Sequence, residues 1–79
     1  MNQDIFEGKW KQFRGQVKEW WGDLTDDDLD RVGGRVDILA GILQERYGYT
    51  REKAMEEIDQ RFTAYEDRVG TIDPLSRNR

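Results

Sequence analysis

Two sets of charged residues in this 79-residue chain could do chemistry. One is an acidic run, Asp26-Asp27-Asp28-Leu29-Asp30, and the other is a group of cations just before it, Lys9, Lys11, Arg14 and Lys18. The carboxylates of Asp26, Asp28 and Asp30 fall on the first, third and fifth positions of an EF-hand calcium loop. The loop then breaks down. Its sixth position is Arg31, where a sharp turn needs glycine, and its twelfth is Asp37, one carbon shorter than the usual glutamate. Helix capping explains the same carboxylates without a ligand. Thr25 followed by Asp28 makes a Thr-x-x-Asp box, and Asp26, Asp27 and Asp28 in a first turn complement the helix dipole. No metal and no cofactor is expected.

The cations sit on a different stretch. Residues 8–22 hold Lys9, Lys11, Arg14 and Lys18 against Glu19, a local balance of +3, while residues 23–30 hold five Asp. A basic helix bearing aromatics could meet nucleic-acid phosphates or an anionic membrane surface, so these four residues are the candidate anion-binding set. Two facts oppose that use. The aromatics share one helical stripe and cannot both fill a core and stack on bases, and a whole-chain net charge of −4 repels a polyanion at long range. Catalysis has less to work with. The chain has no His and no Cys, which removes the commonest general base and zinc ligand and the thiol nucleophile. No nucleophile–base pair is suggested by the remaining spacing, so neither an enzyme nor a small-molecule substrate is expected.

The elements that carry these residues repeat. Residues 8–24, GKWKQFRGQVKEWWGDL, align with residues 34–50, GRVDILAGILQERYGYT, at an offset of 26. In the first copy Phe6, Trp10, Phe13, Val17 and Trp20 or Trp21 recur at helical steps, which predicts one helix from an Asp4 cap to a left-handed stop at Gly22. Thr25 opens a short second helix that ends at Gly33-Gly34. The third carries Val36, Leu39, Leu43 and Tyr47, widened by Ile38 and Ile42, and is read as the central one. Gly48 ends it and Thr50 caps a fourth, with Met55, Ile58, Phe62, Tyr65 and Val69 on its stripe. Residues 70–79 have no period and read as a flexible tail after a single domain over residues 1–69. The expected fold is all-α, four short helices in two orthogonally packed α-hairpins from an internal duplication.

Mid-helix Gly15 and Gly41 each cost a helix about 1 kcal/mol relative to Ala. Gly41, on the more apolar helix, is expected to allow a close approach, so that Gly41→Ala overpacks; Gly15→Ala is expected to stabilise. The N-terminal MNQDIFEGKW lacks the basic start and apolar core of a signal peptide, and the longest apolar run, 38–43, is far short of a membrane span. The cytoplasm is the expected compartment.

Taken together, the Gly-x-Trp-x-x-Phe-x-Gly-x-Val-Lys-Glu run, the Leu-Thr-Asp-Asp-Asp cap and the Gln-Glu-Arg-Tyr-Gly-Tyr turn resemble the CsbD-like family of small bacterial proteins over about residues 2–60. The resemblance implies a four-helix domain of two orthogonal α-hairpins and an association with the general stress response. It brings no catalytic residues and no established activity. The function expected is a non-catalytic stress-response protein acting by binding or bulk presence, with the basic first helix as the competing reading. Its partner, a protein in the first reading, has no sequence signature.

Overall fold

The computed structural model describes residues 2–69, and over them the chain is helical with no strand. Five helices follow one another: α1 Gln3–Gly8, α2 Trp10–Trp20, α3 Asp26–Val32, α4 Val36–Tyr47 and α5 Arg51–Val69. The single first helix expected from the apolar stripe is two helices, so the count is five and not four. Its phase was right, because Phe6, Trp10, Phe13 and Val17 are all buried. The break falls at Lys9, whose φ of −103° and ψ of 4° leave the helical region. Gly34, between α3 and α4, lies against this bend. Its φ is +91°, and a Cβ there would stand 3.1 Å from the Glu7 Cα and 3.3 Å from the Trp10 Cβ. Tertiary packing sets the bend; periodicity along one segment does not register it.

The expected cap also moves. Asn2, not Asp4, starts α1: its Oδ1 accepts from the Asp4 N–H at 2.8 Å and the Ile5 N–H at 3.4 Å. Asp4 falls in the first turn, where its charge still suits the dipole. At the other end of this stretch Gly22 is not left-handed. α2 closes on Trp21, and the Leu24 N–H bonds the Trp21 carbonyl at 3.1 Å, a turn that buries both Trp21 and Leu24. Burying two large side chains around one turn takes precedence over a glycine stop. Gly48, in the corresponding place after α4, does adopt the left-handed conformation, with φ of +69°.

The other local signals hold. Thr25 and Asp28 form the full capping box: the Asp28 N–H donates to Thr25 Oγ1 at 3.1 Å and the Thr25 N–H to Asp28 Oδ2 at 3.0 Å. The Lys53 N–H donates to Thr50 Oγ1 at 3.0 Å at the start of α5. Helix α4 packs against α1, α3 and α5 and buries Val36, Leu39, Ala40, Ile42 and Leu43. On α5 the buried residues are Ala54, Ile58 and Phe62, with Tyr65 partly buried against them. Met55, placed on that stripe by the sequence, is 36 % exposed. The one-residue shift puts the small Ala54 where α5 meets α4, and the larger side chain turns outward.

Aromatic rings close the core. Phe6, Phe13 and Phe62 meet with centroids 4.8–5.2 Å apart, joining α1, α2 and α5. Trp10 and Tyr65 flank them at 5.5 and 5.6 Å from Phe13. Such pairs contribute about 0.5–1.5 kcal/mol each beyond the area they bury. Around Gly41 no such closeness exists: a Cβ built there meets nothing within 4 Å, as at Gly15. The close approach expected at Gly41 is therefore absent among the described residues. The proposed tail over 70–79 and the Val69 side chain lie outside the described residues.

Candidate functional site

Among the described residues Asp28 is the one buried charged side chain, at 2 % exposure. The capping box fixes its Oδ2, and Arg46, in the last turn of α4, places Nη2 at 2.9 Å from Oδ1 and 2.8 Å from Oδ2. Arg31 adds a longer contact at 3.6 Å. The Thr25 N–H, then the guanidinium groups of Arg46 and Arg31, hold the Asp28 carboxyl below the usual carboxylate range, against the opposing effect of burial. One carboxylate thus ties the start of α3 to the end of α4. The Thr-x-x-Asp pattern marks Asp28 as a cap. Arg46 lies 18 residues away, and no local pattern signals it.

The other carboxylates of the acidic run turn elsewhere. Asp26 pairs with Lys18 at 3.1 Å and Asp30 with Arg14 at 3.0 Å. Asp26, Asp28 and Asp30 therefore face three different cations. Among the described residues no three potential ligands gather to hold a metal ion.

Of the four candidate anion-binding residues, Lys11, Arg14 and Lys18 share one face of α2, at steps of three and four. Arg14 and Lys18 use that face to meet Asp30 and Asp26 of α3. Lys9, at the bend, turns instead to Glu66 of α5 at 3.0 Å. Lys11 is exposed and pairs with no carboxylate among the described residues. Two exposed ion pairs thus link the basic helix to the acidic helix. Pairs this exposed contribute about 0–1 kcal/mol each to stability. An incoming phosphate would have to compete with a carboxylate already in place at each of these three cations.

Two polar contacts that sequence reasoning missed also bind the ends of helices. Gln3 donates Nε2–H to the Gly34 carbonyl at 2.8 Å and accepts the Val36 N–H on Oε1 at 3.0 Å, capping α4 from α1. The Tyr47 hydroxyl accepts the Asp23 N–H at 3.1 Å, so the aromatic that closes α4 also holds the turn after α2. Beside Gln3 lies a shallow depression of about 380 Å³, lined by Gln3, Glu7, Arg35, Val36, Asp37 and Met55. Arg35 and Asp37 on its rim contact each other at 3.5 Å. No helix among the described residues is long and apolar enough to cross a membrane.

A family model described as CsbD-like matches residues 4–56, from α1 into α5. The UPF0337 protein PA4738 of Pseudomonas aeruginosa is 55% identical over 58 residues, covering 73% of this chain and 89% of that protein. The UPF0337 protein RPA4217 of Rhodopseudomonas palustris is 56% identical over 63 residues, covering 80% and 96%. The UPF0337 protein YjbJ of Escherichia coli K12 is 53% identical over 58 residues, covering 73% and 84%. No solved structure matches this chain. The matched span includes the capping box, the Asp28–Arg46 pair and the basic face of α2, and the chain belongs to the CsbD-like family.

Proposed function

We propose that this chain is a non-catalytic bacterial stress-response protein, working in the cytoplasm by binding a partner or by bulk presence. One observation carries the reading. The charged groups that could have formed a reactive site serve as ties between helices: Asp28 to Arg46, Arg14 to Asp30, Lys18 to Asp26 and Lys9 to Glu66. A carboxylate locked by the Thr25 N–H and an arginine is a poor proton carrier, because every change of protonation breaks a cap and a pair. We also read the fold as a duplicated α-hairpin, supported by the 26-residue sequence offset and by the Thr caps of α3 and α5. The test is complementation in a bacterium deleted for its CsbD-like protein. Restored survival after stress by the wild-type chain and by Lys11→Glu, but not by the destabilised Asp28→Ala, supports the proposal. Unaltered survival on deletion counts against it.

The competing reading, a weak nucleic-acid or anionic-membrane module, is favoured by one residue. Lys11 stands exposed on α2 with no carboxylate partner among the described residues. Four free cations on duplex DNA would give a log–log salt slope of about −3.6, at about −0.9 per phosphate contact, while Lys11 alone gives about −1. Binding weaker than about 10 µM at physiological salt, with the shallow slope, is expected. A tight, saturable complex whose steep slope flattens when Lys11 and Lys18 are replaced together would reverse the order of the two readings.

A further inference from the structure

The depression between α1, the start of α4 and α5 takes no part in the four ion pairs that tie the helices together, and we infer that it binds a short aliphatic diamine or polyamine through Glu7. Its floor includes the apolar side chains of Val36 and Met55. Val36 is almost fully buried, yet the larger Met55 beside it remains 36 % exposed, so apolar surface is left open to water. The charges on the rim do not cancel. Among the lining residues Arg35 and Asp37 contact each other, while Glu7 makes no ion pair among the described residues; the Arg51 guanidinium, 3.4 Å from the Asp37 carbonyl, lies on the Asp37 side and not in the lining. The helix dipole at the start of α4 would favour an anion, but its first N–H is already taken by Gln3 Oε1.

The Glu7 Cγ lies beside Gly34, where an added Cβ would stand 3.1 Å away, while the carboxylate itself is exposed. A charge-assisted hydrogen bond from an ammonium is the strong contact open to that carboxylate. The matching ligand carries a primary ammonium on a short methylene chain. The ammonium meets Glu7, the methylenes cover Val36 and Met55, and a second ammonium competes with Arg35 for the exposed Asp37. A volume of about 380 Å³ sits at the small end of ligand sites, which suits a chain of a few carbons and not a folded partner. The acidic net charge of −4 adds long-range attraction for such a cation.

The test is a titration of the full chain with 1,5-diaminopentane, followed by backbone and methyl NMR shifts at fixed ionic strength. Saturable shifts confined to Gln3, Glu7, Val36, Asp37 and Met55 are expected, with a dissociation constant of about 1 mM or tighter, as a small ligand of this size allows. Pentan-1-ol at the same concentration should give no saturation. Glu7→Gln should weaken binding at least about fivefold, while Glu19→Gln, on α2, should leave it unchanged. Asp37→Asn provides a second variant with the Glu7 stem intact and should weaken the diamine but not pentan-1-amine. Shifts that spread over all carboxylates, or equal affinity in Glu7→Gln, would overturn the assignment. So would tighter binding by an N-acetyl-lysine amide than by the diamine, since the site would then belong to a protein partner's lysine.

Discussion

Replacing Gly34 by alanine should be the most damaging single-methyl change in the described chain. Two costs add. The backbone there has φ of +91°, which an L side chain tolerates poorly, at about 1–2 kcal/mol. The new Cβ would also lie 3.1 Å from both the Cα and Cγ of Glu7 and 3.3 Å from the Trp10 Cβ. Backbone cannot swing aside as a side-chain tip can, so α1 must move, at about 1–3 kcal/mol for overpacking. The sum is about 2–5 kcal/mol, a large part of the stability available to a domain of this size. At about 4–8 °C per kcal/mol for small domains, the melting midpoint should fall by about 10 °C or more. Thermal unfolding followed by far-UV circular dichroism measures this directly. Gly41→Ala is the matched control, because its Cβ meets open space on a helix. It should raise the midpoint by a few degrees, from about 0.5–1 kcal/mol of helix propensity. A Gly34→Ala midpoint within about 2 °C of wild type would show that α1 does not sit against this loop, and with it the explanation of the Lys9 bend would go.

Three further outcomes follow from named contacts. Asp28→Ala should destabilise by about 1–3 kcal/mol, read from denaturant melts, because it opens the capping box and removes the partner of the half-exposed Arg46. Its pH dependence has a definite sign: the folded carboxyl is depressed below its ordinary value of 3.8, so its contribution is present above that pH and lost as pH falls below it. Asp28→Asn should therefore show a flatter acid limb between pH 5 and pH 2 than wild type; equal limbs would place the acid-sensitive group elsewhere. Gln3→Ala should cost about 1–2 kcal/mol and speed amide exchange at Val36, whose N–H loses its acceptor; unchanged exchange there would remove Gln3 from the capping of α4.

Much of this fold was written in short-range pattern. The stripes of α2 and α4, the Thr25 and Thr50 caps and the Gly48 stop are decided within about a turn of chain, where side-chain spacing and one hydrogen bond suffice. Asp28 was identified as a cap for that reason, and the capping use of the acidic run agrees with the structure. Distance along the chain marks where this ends. Arg46 meets Asp28 across 18 residues, Gln3 caps Val36 across 33, and Lys9 meets Glu66 across 57. None of these pairs has a spacing that recurs, because each depends on how whole helices are placed. The bend at Lys9, the exposure of Met55 and the non-helical turn at Trp21 have the same origin. Each exchanges a local preference for burial against a distant segment, and in a chain this small one bulky contact outweighs a glycine stop or a continuous stripe. The residues Lys9, Lys11, Arg14 and Lys18 were visible as a basic set from composition alone. That three of them already hold carboxylates, leaving Lys11 without one among the described residues, was decided only when Asp26, Asp30 and Glu66 came within reach from α3 and α5.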